Sequence, residues 1–316
     1  MTESTRFASA AVIGTGMMGP GIAVTLALGG SRATIISRTS ESARLGLEKA
    51  HSQVRLLADH GLTEPERAAA AYELLDCSDD LLGTVAQADM VVESAPENME
   101  FKQKLFEDMD RVSKPEAVLA TNTSGLSITA VASLCKRPER VLTTHFWNPP
   151  HLMPLVEIVK GEKTSDAVAE SVREFLTSCG KVPVIVKKDR PGQLGNRLQM
   201  ALWREAVNIV AEGIASAEDV DLAAKSGFGL RLPVYGIFEH ADAVGLDMVI
   251  GIMDYVSKDL YNLPQAPDFF RQLVAGGDLG AKTGRGFYDW SRKDIQAVKD
   301  RRDRFVLAFL QSQRNQ

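Results

Sequence analysis

The chain is poor in histidine and cysteine and carries no excess of positive charge. Its 316 residues include only five histidines, His51, His60, His145, His151 and His240, so imidazole chemistry has few candidates. Three cysteines, Cys77, Cys135 and Cys179, are widely spaced and form no Cys-x-x-Cys pair. That excludes a disulfide framework and a structural zinc site, and it fits a reducing, cytoplasmic compartment. Lys and Arg total 36 against 41 Asp and Glu, a net charge of −5, with no basic stripe to serve nucleic acid. Apolar residues at 45% and charged residues at 24% are ordinary for a globular protein and exclude disorder, collagen and coiled coil. At roughly 100–200 residues per domain, the length implies two domains.

Long uncharged runs are also scarce. The stretch from Ala8 to Gly30 is the exception, and it imitates a membrane span. Six glycines and Pro20 interrupt it, and Met1–Arg6 before it is polar with one charge of each sign. A buried strand followed by a buried helix accounts for it better, so no membrane association is expected.

Ala10–Ile13 reads as that strand and enters Gly14-Thr15-Gly16-Met17-Met18-Gly19, with an apolar helix from about Gly21 to Leu28. Gly14 permits the tight turn, Gly16 admits a pyrophosphate against the backbone, and Gly19 lets helix pack on strand. Met17 and Met18 complete the loop, whose helix N-terminus favours phosphate. Further strands are expected at Ala33–Ile36, Met90–Glu93, Ala117–Thr121, Val141–His145, Leu155–Val159 and Val182–Lys187. Helices are expected at Glu41–His60, Glu64–Leu75 (capped by Thr63) and Phe101–Val112. This alternation defines an α/β Rossmann-type, doubly wound, largely parallel sheet over residues 1–188. Beyond Asp189-Arg190-Pro191-Gly192 the pattern is helical, giving an all-α C-terminal domain over 189–316.

A carboxylate about 20 residues past the glycine loop would bind the ribose of NAD. That position holds Ser37, followed by Arg38, Thr39 and Ser40. Arg38 suits a 2′-phosphate, so NADP is the preferred cofactor, with NAD bound through Ser37 as the alternative.

The chemistry concentrates in Thr143-Thr144-His145-Phe146-Trp147-Asn148-Pro149-Pro150 and Leu155-Val156-Glu157-Ile158-Val159. His145 closes one strand, and Glu157 lies in the next after a Pro-rich turn that brings the chain back. A His beside a carboxylate is a general base held in one tautomer. A lone Glu in an apolar strand is costly unless paired, which supports the pairing. Asn122-Thr123-Ser124 closes the preceding strand, so Ser124 and His145 share the carboxyl ends of neighbouring strands, where ligands of open α/β sheets bind.

These segments resemble the 3-hydroxyacyl-CoA dehydrogenase superfamily, whose members include L-gulonate 3-dehydrogenase (lambda-crystallin) and carnitine dehydrogenase. The likeness runs through Gly14–Gly19, Val91–Glu93, Glu97-Asn98, Lys102, Asn122–Ser124, His145–Glu157, Pro191-Gly192, Asn196-Arg197 and Lys282–Tyr288. The resemblance implies hydride transfer between a nicotinamide and a 3-hydroxy or 3-oxo substrate, with no metal. It implies that His145 takes or gives the hydroxyl proton, Glu157 supports the imidazolium, and Ser124 and Asn196 hydrogen-bond the reacting oxygen. It places Glu97, Lys102, Asn122 and Lys282 along the cofactor and suggests homodimers built through the helical domain. The acid after the second strand is missing, and Ser and Lys contacts for CoA cannot be placed among Lys49, Ser52 and Arg55. Gln193 stands where an apolar residue is usual, and Trp147 replaces a smaller residue. A free hydroxy acid or other small carbonyl compound is therefore the alternative to a CoA thioester. Trp147 would then line its pocket, or be a core aromatic. Arg231 would clamp its carboxylate, or serve a surface or interface. A non-catalytic nucleotide-binding protein is the remaining reading.

Overall fold

The computed structural model describes residues 7–314, so Met1–Arg6 lies outside it. Eight strands form one sheet: β1 (Ser9–Ile13), β2 (Arg32–Ile36), β3 (Leu75–Ser78), β4 (Met90–Glu93), β5 (Val118–Thr121), β6 (Val141–Phe146), β7 (Leu155–Lys160) and β8 (Val182–Val186). Their order is β3-β2-β1-β4-β5-β6-β7-β8, parallel from β3 to β6. β7 then runs antiparallel to β6, and β8 runs parallel to β7. The order reverses between β1 and β4, which leaves a crevice at the strand ends.

Helices α1 (Gly19–Leu28), α2 (Ser40–Asp59), α3 (Pro65–Leu74), α4 (Leu81–Gln87), α5 (Met99–Val112), α6 (Ile128–Val131) and α7 (Asp166–Ser178) surround the sheet. Neighbouring strand residues feed opposite layers. Ala10, Val12, Met90, Val92 and Leu142 join one apolar cluster, and Ala11, Ile13, Val91, Leu119 and Val141 join the other. Burial on both faces is why these strands are apolar runs rather than alternating ones. The Ala8–Gly30 run is β1 plus α1, and α1 is buried from Gly19 to Ala27. Among the described residues no helix is long and apolar enough to cross a membrane.

Four elements around the sheet escape sequence reading: β3, α4, α6 and α7. The Leu75–Ser78 strand has only one fully buried residue and follows α3 without a turn, so its period is masked. The cap expected from Thr63 does not form. α3 begins at Pro65 after an extended Glu64 that makes no side-chain cap, and the Thr63 hydroxyl is buried without a partner.

The helical part comprises α8 (Gly195–Ala211), α9 (Ala217–Ser226), α10 (Phe228–Arg231), α11 (Ile237–Val244), α12 (Leu246–Val256), α13 (Asp268–Ala275) and α14 (Ile295–Arg314). Two compact units emerge: the chain up to Arg197 together with Arg302 onward, and Leu198–Arg301. The first turn of α8 belongs to the first of these units. The last helix returns to the first unit, where Gln311 and Arg314 donate to the carbonyls of His60 and Gly61. Helices α8 to α13 contain no fully buried residue.

Candidate active site

The glycine loop lies at the carboxyl end of β1. Gly14 has φ +111°, open to glycine, and a Cβ on Gly19 would fall 1.8 Å from the Gly14 carbonyl oxygen. A Cβ on Gly16 would meet nothing within 4 Å, so that face of the loop is open to a ligand. Met18 precedes α1 without a side-chain cap, leaving its first N–H groups for an anion, and Met17 is 73% exposed. This loop fits a dinucleotide pyrophosphate.

At the end of β2 the Ser37 hydroxyl lies 3.5 Å from that of Thr15. Thr39 caps α2 by accepting from the Ser42 N–H, and Arg38 is exposed. Spacing along β2 missed the acid nearby. Asp79, which follows β3, accepts a hydrogen bond from Ser40 at the start of α2. It belongs to the adjacent strand's loop, so no count from the glycine loop leads to it.

The antiparallel register sets His145 of β6 directly opposite Glu157 of β7. His145 Nδ1 is 2.7 Å from Glu157 Oε2. An ionised carboxylate only accepts, so the proton sits on Nδ1 and Nε2 keeps a lone pair. The Trp147 indole Nε1–H donates to the same Oε2 at 3.0 Å. The N–H groups of Leu194 and Gly195, at the start of α8, both donate to Oε1 at 2.8 Å. Glu157 is fully buried. Burial raises its carboxyl, but the bonds from His145, Gly195, Trp147 and Leu194 outweigh that and pull it down to about 2. It is therefore a fixed anion beside the His145 imidazole.

Beyond β5, Glu97 gathers the loop carrying Ser124. Its carboxylate accepts from the Thr123 hydroxyl at 2.8 Å, the Ser124 N–H at 2.8 Å and the Ser124 hydroxyl at 3.1 Å. Asn122 accepts from the Phe146 N–H at 2.8 Å, pinning β5 to the end of β6 beside His145. Asn196 Nδ2 donates to the Ser124 carbonyl at 3.1 Å, so it is engaged with the loop. Gln193 Nε2 donates to the Thr123 carbonyl at 2.8 Å, and Gln193 Oε1 is buried without a partner. With φ +53°, Gln193 has the one left-handed non-glycine backbone among the described residues.

Lys102 does not lie open to a cofactor. It is 1% exposed, on the buried face of α5, with Nζ 2.6 Å from Glu93 Oε1 and 3.7 Å from Glu97 Oε2. Glu93, fully buried at the end of β4, also accepts from the Ala95 N–H at 2.5 Å and the Thr121 hydroxyl at 2.6 Å. Sequence reading placed Lys102 along the cofactor and missed its pairing with Glu93, because a lysine near the start of a helix looks solvated until the helix packs on the sheet. Lys282 and Arg231 are exposed residues of the second unit.

A glycine loop at a sheet crevice, beside a buried His–Glu dyad, defines a nicotinamide-dependent oxidoreductase acting on a CH–OH/C=O couple. Residues 9–190 match the 3-hydroxyacyl-CoA dehydrogenase NAD-binding domain, and residues 192–290 match the 3-hydroxyacyl-CoA dehydrogenase C-terminal domain. The chain belongs to the 3-hydroxyacyl-CoA dehydrogenase family. It is 32% identical over 301 residues to a 5-formyl-3-hydroxy-2-methylpyridine 4-carboxylate 5-dehydrogenase of Mesorhizobium japonicum, covering 94% of this chain and 96% of that one. It is 36% identical over 281 residues to a 3-hydroxybutyryl-CoA dehydrogenase of Bradyrhizobium diazoefficiens, covering 88% and 94%. A crystal structure of a 5-formyl-3-hydroxy-2-methylpyridine 4-carboxylic acid 5-dehydrogenase, described as an NAD+ dependent dismutase, superposes with a TM-score of 0.88. It is 30% identical and covers 96% of this chain and 97% of that chain.

Proposed function

We propose that the chain interconverts a hydroxyl and a carbonyl group of a 3-hydroxy or 3-oxo substrate, with His145 as the general base and acid. The His145–Glu157 geometry carries this reading. Bound nicotinamide supplies the hydride acceptor or donor. His145 Nε2 takes the hydroxyl proton as the hydride leaves, and Glu157 holds the imidazolium that results. Ser124 steadies the reacting oxygen by turning its hydroxyl proton from Glu97 to that oxygen, while Glu97, through the Ser124 N–H and the Thr123 hydroxyl, and Asn122 and Asn196 hold the Ser124 loop and the end of β6. Lys102 supports this loop through its ion pairs with Glu93 and Glu97. The test is His145→Gln: turnover should fall by roughly 10³-fold with dinucleotide affinity unchanged, and retained turnover would refute the mechanism.

For the cofactor we infer NAD rather than NADP, which reverses the preference drawn from Arg38. Asp79 supports it: it follows β3 and accepts from Ser40 of α2, and a carboxylate beside the start of α2 would repel a 2′-phosphate and accept from a ribose hydroxyl. The glycine loop, with Ser37, Arg38 and Thr39, forms the rest of that site. Steady-state kinetics with NADH and NADPH on wild type, Arg38→Ala and Asp79→Ala decide the matter. An NADPH preference lost in Arg38→Ala would overturn the inference.

A free small acid, rather than a CoA thioester, is the second reading. The 0.88 TM-score over nearly the whole of a pyridine-carboxylate dehydrogenase favours it. Arg231 would then clamp the carboxylate. A panel of acetoacetyl-CoA, free oxo acids and the formylpyridine carboxylate separates the two. A homodimer through the helical unit fits the exposure there of Phe238 at 84%, Tyr255 at 80% and Ile250 at 60%. Free thiols at all three cysteines fit a cytoplasmic location.

A further inference from the structure

We propose that Trp147 is a positioning residue that acts through Glu157, tempering the charge His145 works against, rather than a wall of the substrate pocket. This rests on the dyad mechanism above. Side chains two residues apart along an extended chain share a face. His145, in the last turn of the β6 ladder, and Trp147, just past its end, therefore reach one oxygen: Nδ1 at 2.7 Å and the indole Nε1–H at 3.0 Å from Glu157 Oε2. The two rings stand 5.7 Å apart at 52°. The indole is held from behind as well. A Cβ on Gly195 would come within 2.4 Å of Trp147 Cζ2, so the ring edge occupies the space that glycine leaves at the start of α8.

An indole N–H is one neutral proton with no titration at working pH and no acceptor capacity. On Oε2 it does two things. It fixes the carboxylate plane, so the oxygen stays on Nδ1 while the imidazole cycles between neutral and charged. It also withdraws charge from that oxygen, so the imidazolium formed when Nε2 takes the substrate proton is held less tightly and returns the proton more readily. The groups facing Glu157 are His145 and Trp147 from the β6 side and the Leu194 and Gly195 N–H groups from α8, while β8 places Val184 alongside in the ladder. No other charged side chain among the described residues bonds to it. Each carboxylate oxygen thus holds two donors, and Trp147 supplies the one that a Phe would leave out.

The experiment is a double-mutant cycle of Trp147→Phe with Glu157→Gln, read as kcat, KM and the pH profile of kcat/KM. Trp147→Phe should lower kcat roughly tenfold, with KM for the organic substrate within about twofold. It should also move the acid limb of the profile upward by about half a pH unit, because the less-shared carboxylate holds the imidazolium more strongly. In the Glu157→Gln background the same change should cost no more than about 1.5-fold, since its partner is gone. Benzothienylalanine at position 147, which keeps the bicyclic shape and lacks only the N–H, should reproduce Trp147→Phe if that variant packs poorly. An equal loss in both backgrounds, or a raised KM with unchanged kcat and pH profile, overturns the proposal. Unchanged kcat in Glu157→Gln alone overturns the dyad mechanism instead, so the two failures are distinguishable.

Discussion

Replacing Glu157 by Gln changes one atom and disturbs four hydrogen bonds. The native carboxylate accepts from His145 and Trp147 on one oxygen and from Leu194 and Gly195 on the other. An amide has one accepting side only. If its oxygen serves the α8 N–H groups, its NH2 faces Nδ1 of His145 and the indole N–H. His145 must then turn Nδ1 into an acceptor and carry its proton on Nε2, where it can no longer act as a base. The comparable carboxylate-to-amide change in a serine-protease triad costs about 10⁴ in kcat, and a loss of ~10²–10⁴ is expected here. Stability falls too. Holding the carboxyl at about 2, against an ordinary 4.5, corresponds to roughly 3 kcal/mol at neutral pH. Because the folded-state value is depressed, that stability is present above about pH 4.5 and is lost as pH falls toward 2. Urea unfolding at a series of pH values should show wild type exceeding Glu157→Gln at pH 7, with the gap closing below pH 4.5. A gap that is absent at pH 7, or constant down to pH 3, would refute the charge argument.

Lys102→Met should destabilise the first unit by ~3–5 kcal/mol in urea unfolding, because it leaves the fully buried Glu93 carboxylate without its cation. A cost below about 1 kcal/mol would mean that the Ala95 N–H and Thr121 hydroxyl suffice. Gly19→Ala should weaken dinucleotide binding by at least roughly tenfold in a fluorescence titration, since its Cβ would collide with the Gly14 carbonyl and force the loop open. Unchanged affinity would place the pyrophosphate elsewhere.

Much of this was legible in sequence because it depends on local chemistry. The glycine loop needs small residues at fixed offsets, and an isolated Glu in the apolar stretch Leu155–Val159 asks for a partner that His145 supplies. What stayed hidden depends on neighbours across the sheet. Asp79 reaches the start of α2 from the adjacent strand's loop. Lys102 looks like a solvated helix residue until α5 turns it inward toward Glu93. Asn196 is occupied with the Ser124 carbonyl because residues 193–196 bond to the dinucleotide-binding side before α8 runs on. Short β3 carries too few buried residues to show a period, and the amphipathic α7 sits where the turn signals around it drew attention to the strands on either side.

The pairing of His145 with Glu157 is a matter of ladder register rather than of distance along the chain. The loop from Trp147 to Pro154 joins two antiparallel strands whose partners are already fixed by backbone hydrogen bonds. Relatives of this fold are therefore free to lengthen or shorten that loop beyond Trp147, whose indole is tied to Glu157, without moving the dyad. A slip of one residue in the ladder is different in kind: it would turn Glu157 to the opposite face of the sheet and leave both the imidazole and the root of α8 without their anion.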